Sequence, residues 1–185
     1  MFRFGRKDDP HALVVGMTGV KMGDRLAQIG CAEGGRLAAV AAKVGLSGRA
    51  VAVVPDDASA SRAQKGAARA GVLVEVKVAP PRRLPLEDGA FDLAVVDDTA
   101  GLLATMTVED RTATIRELLR VLRPGGRVVA LGAGRRGGIG GLFASRPPPA
   151  AFDAVPALQA EGFRSVRMLA EREGLAFVEA VKPRT

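Results

Sequence analysis

The sequence predicts one doubly wound α/β domain. Three observations carry that reading. Short apolar runs rich in Val alternate with longer Ala-rich stretches of helical period, a glycine cluster follows the first such run, and a four-residue connection, Glu171-Arg-Glu-Gly174, joins the last two. Strands separated by helical segments imply right-handed βαβ crossovers and a mostly parallel sheet. A pair of strands joined by a hairpin connection should instead be antiparallel.

The elements follow in order. Arg25–Ile29 reads as the first strand, entered by the turn Gly23-Asp24. Gly34–Val44 reads as a helix with Leu37, Val40, Ala41 and Val44 on one face, and Gly45 and Gly48 punctuate the loop after it. Residues 50–54 form a buried strand without alternation, as expected where helices cover both faces of a sheet. Asp57 is placed to cap a helix that runs to Ala70 and stops at Gly71. Residues 73–78 alternate in the manner of an edge strand, which the pair Pro80-Pro81 ends, and a loop then reaches Gly89. Residues 91–96 are the fourth strand, and Asp97 or Asp98 is placed to cap a helix beginning near Thr99. Residues 107–122 form a helix, Arg123-Pro-Gly-Gly126 a stop and tight turn, and residues 127–131 the fifth strand. Residues 163–169 and 176–181 make the closing pair. There is no internal repeat. Residues 1–21 read as an N-terminal extension to a domain spanning 22–182, and 132–149 as a Gly/Arg/Pro-rich surface loop within it.

Composition narrows the chemistry. The 27 Lys and Arg against 20 Asp and Glu give a formal charge of +7, which favours anionic partners in general. With no Trp or Tyr, a stacking platform for single-stranded nucleic acid would rest on Phe alone, so nucleic acid is disfavoured. Cys31 is the only cysteine and His11 the only histidine, so internal disulfides, multi-thiolate metal sites and His-based triads are excluded and no metal is expected. The apolar stretch at 12–20 is too short and too interrupted by Gly to span a membrane, and no small-residue cleavage site follows it. The expected location is therefore the cytoplasm.

Four segments taken together resemble the class I S-adenosylmethionine-dependent methyltransferases, in particular the small-molecule branch of quinone-biosynthesis C-methyltransferases. They are Met22-Gly-Asp-Arg-Leu-Ala-Gln-Ile-Gly-Cys-Ala-Glu-Gly34, Leu84-Pro-Leu-Glu-Asp-Gly-Ala-Phe-Asp92, Glu117-Leu-Leu-Arg-Val-Leu-Arg-Pro-Gly-Gly-Arg-Val-Val129, and the tail with Glu161-Gly-Phe163 and residues 177–182. The third is the most specific. The resemblance covers residues 22–182 and implies a Rossmann-like sheet in the order 3-2-1-4-5-7-6 with the seventh strand antiparallel. It implies S-adenosylmethionine as methyl donor and a small-molecule acceptor, which the chain's positive charge favours as an anion.

The resemblance also assigns candidate cofactor residues. Gly30 and Gly34 allow a sharp turn and close ligand approach, or else only close strand-to-helix packing, and Ala32 stands where the family has its middle glycine. The family's three cofactor acids align with Gln28, Val54 and Pro80, none of which carries negative charge. Asp56, beyond Pro55, is the nearby substitute for the ribose; its other role, like that of Asp57, is a turn or helix cap. Glu33 would repel the cofactor carboxylate. Asp97 and Asp98 are the candidate catalytic acids, as general base or cation holder, with capping as the alternative. Cys31 reads as a packed side chain rather than a nucleophile.

Two functions remain open at this level: a methyltransferase, and a non-catalytic relative that uses the same scaffold for interaction or for sensing another ligand. A nicotinamide-dependent oxidoreductase is weak, because the glycine run is Gly-x-x-x-Gly-Gly rather than Gly-x-Gly-x-x-Gly.

Overall fold

A computed structural model describes residues 9–134 and 152–184. The strands are β1 (Arg25–Ile29), β2 (Arg49–Val54), β3 (Glu75–Val78), β4 (Phe91–Asp98), β5 (Leu122–Ala133), β6 (Arg164–Arg172) and β7 (Leu175–Val181). They form one sheet in the order β3-β2-β1-β4-β5-β7-β6. β1 to β5 are parallel neighbours, and β7 runs antiparallel to both β5 and β6. The helices are α1 (Ala12–Thr18), α2 (Gly34–Val44), α3 (Asp57–Ala70), α4 (Val108–Val121) and α5 (Ala154–Ala160).

The period of two along each strand sorts the core into layers. Leu26, Leu93, Val95 and Val129 pack under α1 and α2, and Ala52 and Val54 join Cys31 and Leu37 with Ala60 and Ala63 of α3. The intervening residues Ala27, Ile29, Val53, Ala94 and Val96 face the other way, toward Ile115 and Leu118 of α4 and Leu158 of α5. That alternation sends consecutive residues at the C-terminal end of β4 into different layers, which matters for the site.

Several boundaries differ from the sequence expectation, each for a physical reason. β4 runs two residues further, because Asp97 pairs with Leu131 and Asp98 with Gly132. No helix begins near Thr99; residues 99–106 make turns, and α4 starts after Thr107, whose hydroxyl accepts from Asp110 N. Asp56, not Asp57, caps α3, accepting a hydrogen bond from Ser59 N at 2.7 Å. The Arg123-Pro-Gly-Gly126 turn is absorbed into β5: pairing starts at Leu122 against Phe91, shifts register, and resumes at Arg127 against Leu93. Two helices were not expected. α1, within the presumed extension, packs Val14 into the core, and α5 is capped by Asp153. Of the Gly/Arg/Pro-rich loop at 132–149, residues 135–149 lie outside the described residues.

One buried charge ties the far edge together. Glu179 on β7 accepts from Arg127 of β5 at 2.8 Å and from Arg167 of β6 at 2.9 Å. Arg127 also donates to the carbonyls of Thr18 (3.4 Å) and Gly19 (3.0 Å), fastening the end of α1 to the sheet. Burial alone would raise the Glu179 carboxyl, but the hydrogen bonds from Arg127 and Arg167 outweigh it and hold it below its ordinary value. A carboxylate with a lowered folded-state value adds stability above the ordinary carboxylate range and loses it as pH falls through the lowered value. Glu179→Gln should therefore reduce unfolding free energy by about 2 kcal/mol at neutral pH. In denaturant titrations the gap to the parent protein should close as the pH falls from the ordinary carboxylate range through the lowered value of Glu179.

Candidate functional site

The carboxyl ends of β1, β2 and β4 meet at a glycine turn. The chain leaves β1 at Ile29 and bends at Gly30, whose φ of +80° is strained for any residue with a side chain. A Cβ there would lie 3.0 Å from the Asp97 carbonyl oxygen and 2.8 Å from the Leu102 side chain. The backbone is thus approached closely, and the group making the approach is the 99–105 loop.

Asp97 organises this corner. Its Oδ2 accepts from Ala32 N at 3.0 Å, and its Oδ1 accepts from the Thr99 hydroxyl at 2.6 Å and from Thr99 N at 3.3 Å. Arg36, one turn into α2, lies 3.5 Å from Oδ1 and donates to the Thr99 hydroxyl at 2.6 Å. Glu33 turns away from the crevice to pair with Arg36 at 3.0 Å and approaches His11 at 3.8 Å. The turn's backbone donor is therefore met by an internal carboxylate, itself buried and neutralised by a guanidinium.

The other predicted positions divide into those that reach the crevice and those that do not. Gln28 is buried and folds back, its amide donating to the Gly30 carbonyl at 3.1 Å. Val54 is wholly buried in the apolar layer between β2 and α3. Gly30, Ala32, Pro55, Asp56 and Asp97 line the crevice; Pro80 does not. The Asp56 carboxyl is held below its ordinary value by the backbone and hydroxyl of Ser59. Asp57 is exposed in the first turn of α3. At Gly34 a Cβ would fall 2.2 Å from the Arg62 carbonyl oxygen and 3.1 Å from Gly66 Cα, so that glycine is required by the crossing of α2 over α3. Arg62 went unnoticed in the sequence. It lines the crevice, donating to the Cys31 carbonyl (3.1 Å) and the Ser59 hydroxyl (2.7 Å). Its only sequence signal is a position three residues after Ser59, on the same helix face.

The crevice encloses about 180 Å³. Ligand pockets more often hold roughly 300–1,000 Å³, so a large ligand requires the Leu102 side chain and its loop to give way. A second cavity of about 250 Å³ lies on the opposite face of β4, lined by Asp98, Leu103, Ala130, Gly132, Phe152, Met168 and Val178 among others. Residues 97–105 contribute to both hollows, with Asp97 and Leu102 facing the first and Asp98 and Leu103 the second. Asp98 Oδ1 accepts from Leu103 N at 2.5 Å, so it closes the turn after β4; burial nonetheless pushes its carboxyl above the ordinary value. Among the described residues no group of three or more His, Cys, Asp and Glu could hold a metal ion, and no helix is long and apolar enough to cross a membrane.

A family model described as a methyltransferase domain matches residues 27–130, from β1 to β5. The chain is 29% identical over 108 residues to norajmaline N-methyltransferase of Rauvolfia serpentina, covering 58% of this chain and 35% of that protein. It is 28% identical over 116 residues to the ubiquinone/menaquinone biosynthesis C-methyltransferase UbiE of Idiomarina loihiensis, covering 62% and 44%. It therefore spans less than half the length of these curated relatives. A solved S-adenosylmethionine-dependent methyltransferase from Aquifex aeolicus superposes with a TM-score of 0.73 at 20% identity, over 92% of this chain and 88% of that one, which shows the fold.

A methyltransferase domain implies S-adenosylmethionine as cofactor. At its methionine end the residues present offer a buried carboxylate, Asp97, that lines the crevice and is already paired with Arg36, while the space beside Gly30 is taken by Leu102 and the Asp97 carbonyl, so the group fits there only if that loop gives way. At the ribose end only Asp56 offers a carboxylate, and it is engaged as the α3 cap. Cys31, within the turn, is buried, and burial followed by the Asp97 charge pushes its thiol up to about 11. In folded protein at about pH 8 this thiol should not react with a disulfide reagent over minutes, and denaturant should release full reactivity.

Proposed function

The chain belongs to the methyltransferase domain family, and from that premise we propose that it binds S-adenosylmethionine in the glycine-turn crevice and methylates a small molecule seated in the Asp98 cavity. When bound, the cofactor supplies an electrophilic methyl group on a sulfonium. Methyl transfer demands that acceptor and sulfonium meet in line and in contact, so the 99–105 loop, which separates the two hollows, would have to move aside for the chain to align them.

The observation that supports this reading most is the Asp97 carboxylate, buried against the turn at Ala32 N while still lining the crevice. It is the anion this site has in place of an acid at Gln28. Gly30 and Ala32 would admit the methionine portion, and Asp56 with Ser59, which also line the crevice, would be the groups to hold the ribose. Asp98, with its raised carboxyl, would take up a proton from the acceptor, since an acid whose value moves toward neutrality is a better general base at working pH. The surplus of seven positive charges would draw anionic molecules to the surface in general.

A second reading is a scaffold that has lost the cofactor. Val54, sealed in an apolar layer, and the 180 Å³ crevice favour it. Calorimetric titration with S-adenosylmethionine and with its demethylated product separates the two. The proposal expects micromolar binding, weakened about tenfold or more by Asp97→Asn in a variant whose thermal unfolding shows it folded. No heat at millimolar ligand with folded parent protein would leave the scaffold reading.

A further inference from the structure

The crevice beside the glycine turn is filled in part by the chain itself. Ala100, Gly101, Leu102 and Thr105, all from the 99–105 loop, contribute to its lining. A glycine with a φ of +80° leaves its backbone open to close approach, and at Gly30 the approaching group is a leucine methyl. Leu102 Cδ2 lies 2.8 Å from where a Gly30 Cβ would stand.

The loop behind Leu102 is latched in this position. Gly101 N donates to the Asp98 carbonyl at 2.9 Å, and Leu103 N donates to Asp98 Oδ1 at 2.5 Å. The backbone and the hydroxyl of Thr105 both donate to the Gly101 carbonyl, at 3.0 and 2.9 Å. Gly101 has a φ of +79°, a turn that a residue with a side chain adopts only under strain. Leu103 is buried in the layer that holds Val96, Ile115 and Leu118 and anchors the loop there, whereas Leu102 is only partly buried. The side chain against Gly30 therefore gains less from its own packing than its neighbour does, and its place is set largely by the backbone latches.

We propose that Leu102 is a built-in plug: the ligand-free chain closes its own crevice, and a ligand enters by displacing this side chain and loosening the loop behind it. The identity of that ligand rests on the proposed function above, whereas the plug belongs to the ligand-free chain. A dominant closed form lowers apparent affinity by the fraction of molecules that are open, so removing the plug tightens binding. Truncating a side chain that merely lined a ready-made site would weaken it.

The test compares the parent full chain with Leu102→Ala and with the volume-matched Leu102→Met, each first shown to be folded by thermal unfolding. In ligand-free protein, NMR should show amide exchange at Leu103 and Thr105 about tenfold faster in Leu102→Ala, with Val95 and Val129 in the sheet unchanged. By calorimetry, Leu102→Ala should bind S-adenosylmethionine about tenfold more tightly than the parent, and Leu102→Met within about twofold of it. Unchanged exchange at Leu103 and Thr105 would overturn the plug. So would S-adenosylmethionine binding that Leu102→Ala leaves equal or weaker, or a Leu102→Met effect as large as that of Leu102→Ala. Faster exchange in Leu102→Ala, with no heat from S-adenosylmethionine in any of the three proteins, would keep the plug and remove the cofactor. Micromolar binding by the parent that Leu102→Ala does not improve would do the reverse.

Discussion

The carboxylate of Asp97 joins the end of β4 to the turn that follows β1, and the rest of that corner is arranged around the bond. It meets the backbone donor of Ala32, it is neutralised by Arg36 from α2, and Thr99 closes the ring of hydrogen bonds. A buried charge of this kind persists only when paired and hydrogen-bonded, because an isolated carboxylate in such a place would cost several kcal/mol. The same contacts tie the first turn of α2 to the end of β4 and to Thr99, where the 99–105 loop begins. Asp97 is a fixed, buried anion beside the glycine turn, where Gln28 and Val54 carry no charge.

The alternation of a strand gives this constraint its consequence. Asp97 and Asp98 are adjacent in sequence and point into different layers of the domain. One faces the turn and α2; the other faces the cavity bounded by β5, β6, β7 and the start of α5. Two compartments with distinct chemistry thus share one strand end and one loop. The enclosed space on the turn side is small because Leu102 covers Gly30 with a flexible side chain, an obstacle that rotates away more readily than backbone would.

Much of the architecture was legible in the sequence. The Val-rich runs at 50–54 and 91–96 had no alternation because helices cover both faces, and the Glu171–Gly174 connection marked the antiparallel end. Positive φ at Glu173 and Gly174 shows why a glycine stands there. What escaped notice depends on tertiary contacts. α1 and α5 are each seven residues long, too short for a periodic pattern to emerge. The extension of β4 to Asp98 is set by its pairing with Gly132, far away in sequence. At the site, the glycines could be read and the missing acids counted, but motif spacing cannot tell a glycine needed by a ligand from one needed by a helix crossing. At Gly34 the helix crossing alone already demands glycine, against Arg62 and Gly66. Arg62 and the clasp formed by Asp97 emerge only when α3 and β4 are brought beside the turn.

The most direct measurement is an amide NMR titration of isotopically labelled protein with S-adenosylmethionine, following the backbone resonances of Gly30, Cys31 and Ala32. If Asp97 and the turn form the cofactor's seat, these resonances shift together and saturate with a single dissociation constant, and the Ala32 amide, which now donates to Asp97, moves with them. Unchanged Gly30–Ala32 resonances at millimolar cofactor, in a sample whose remaining spectrum shows a folded sheet, would contradict the account.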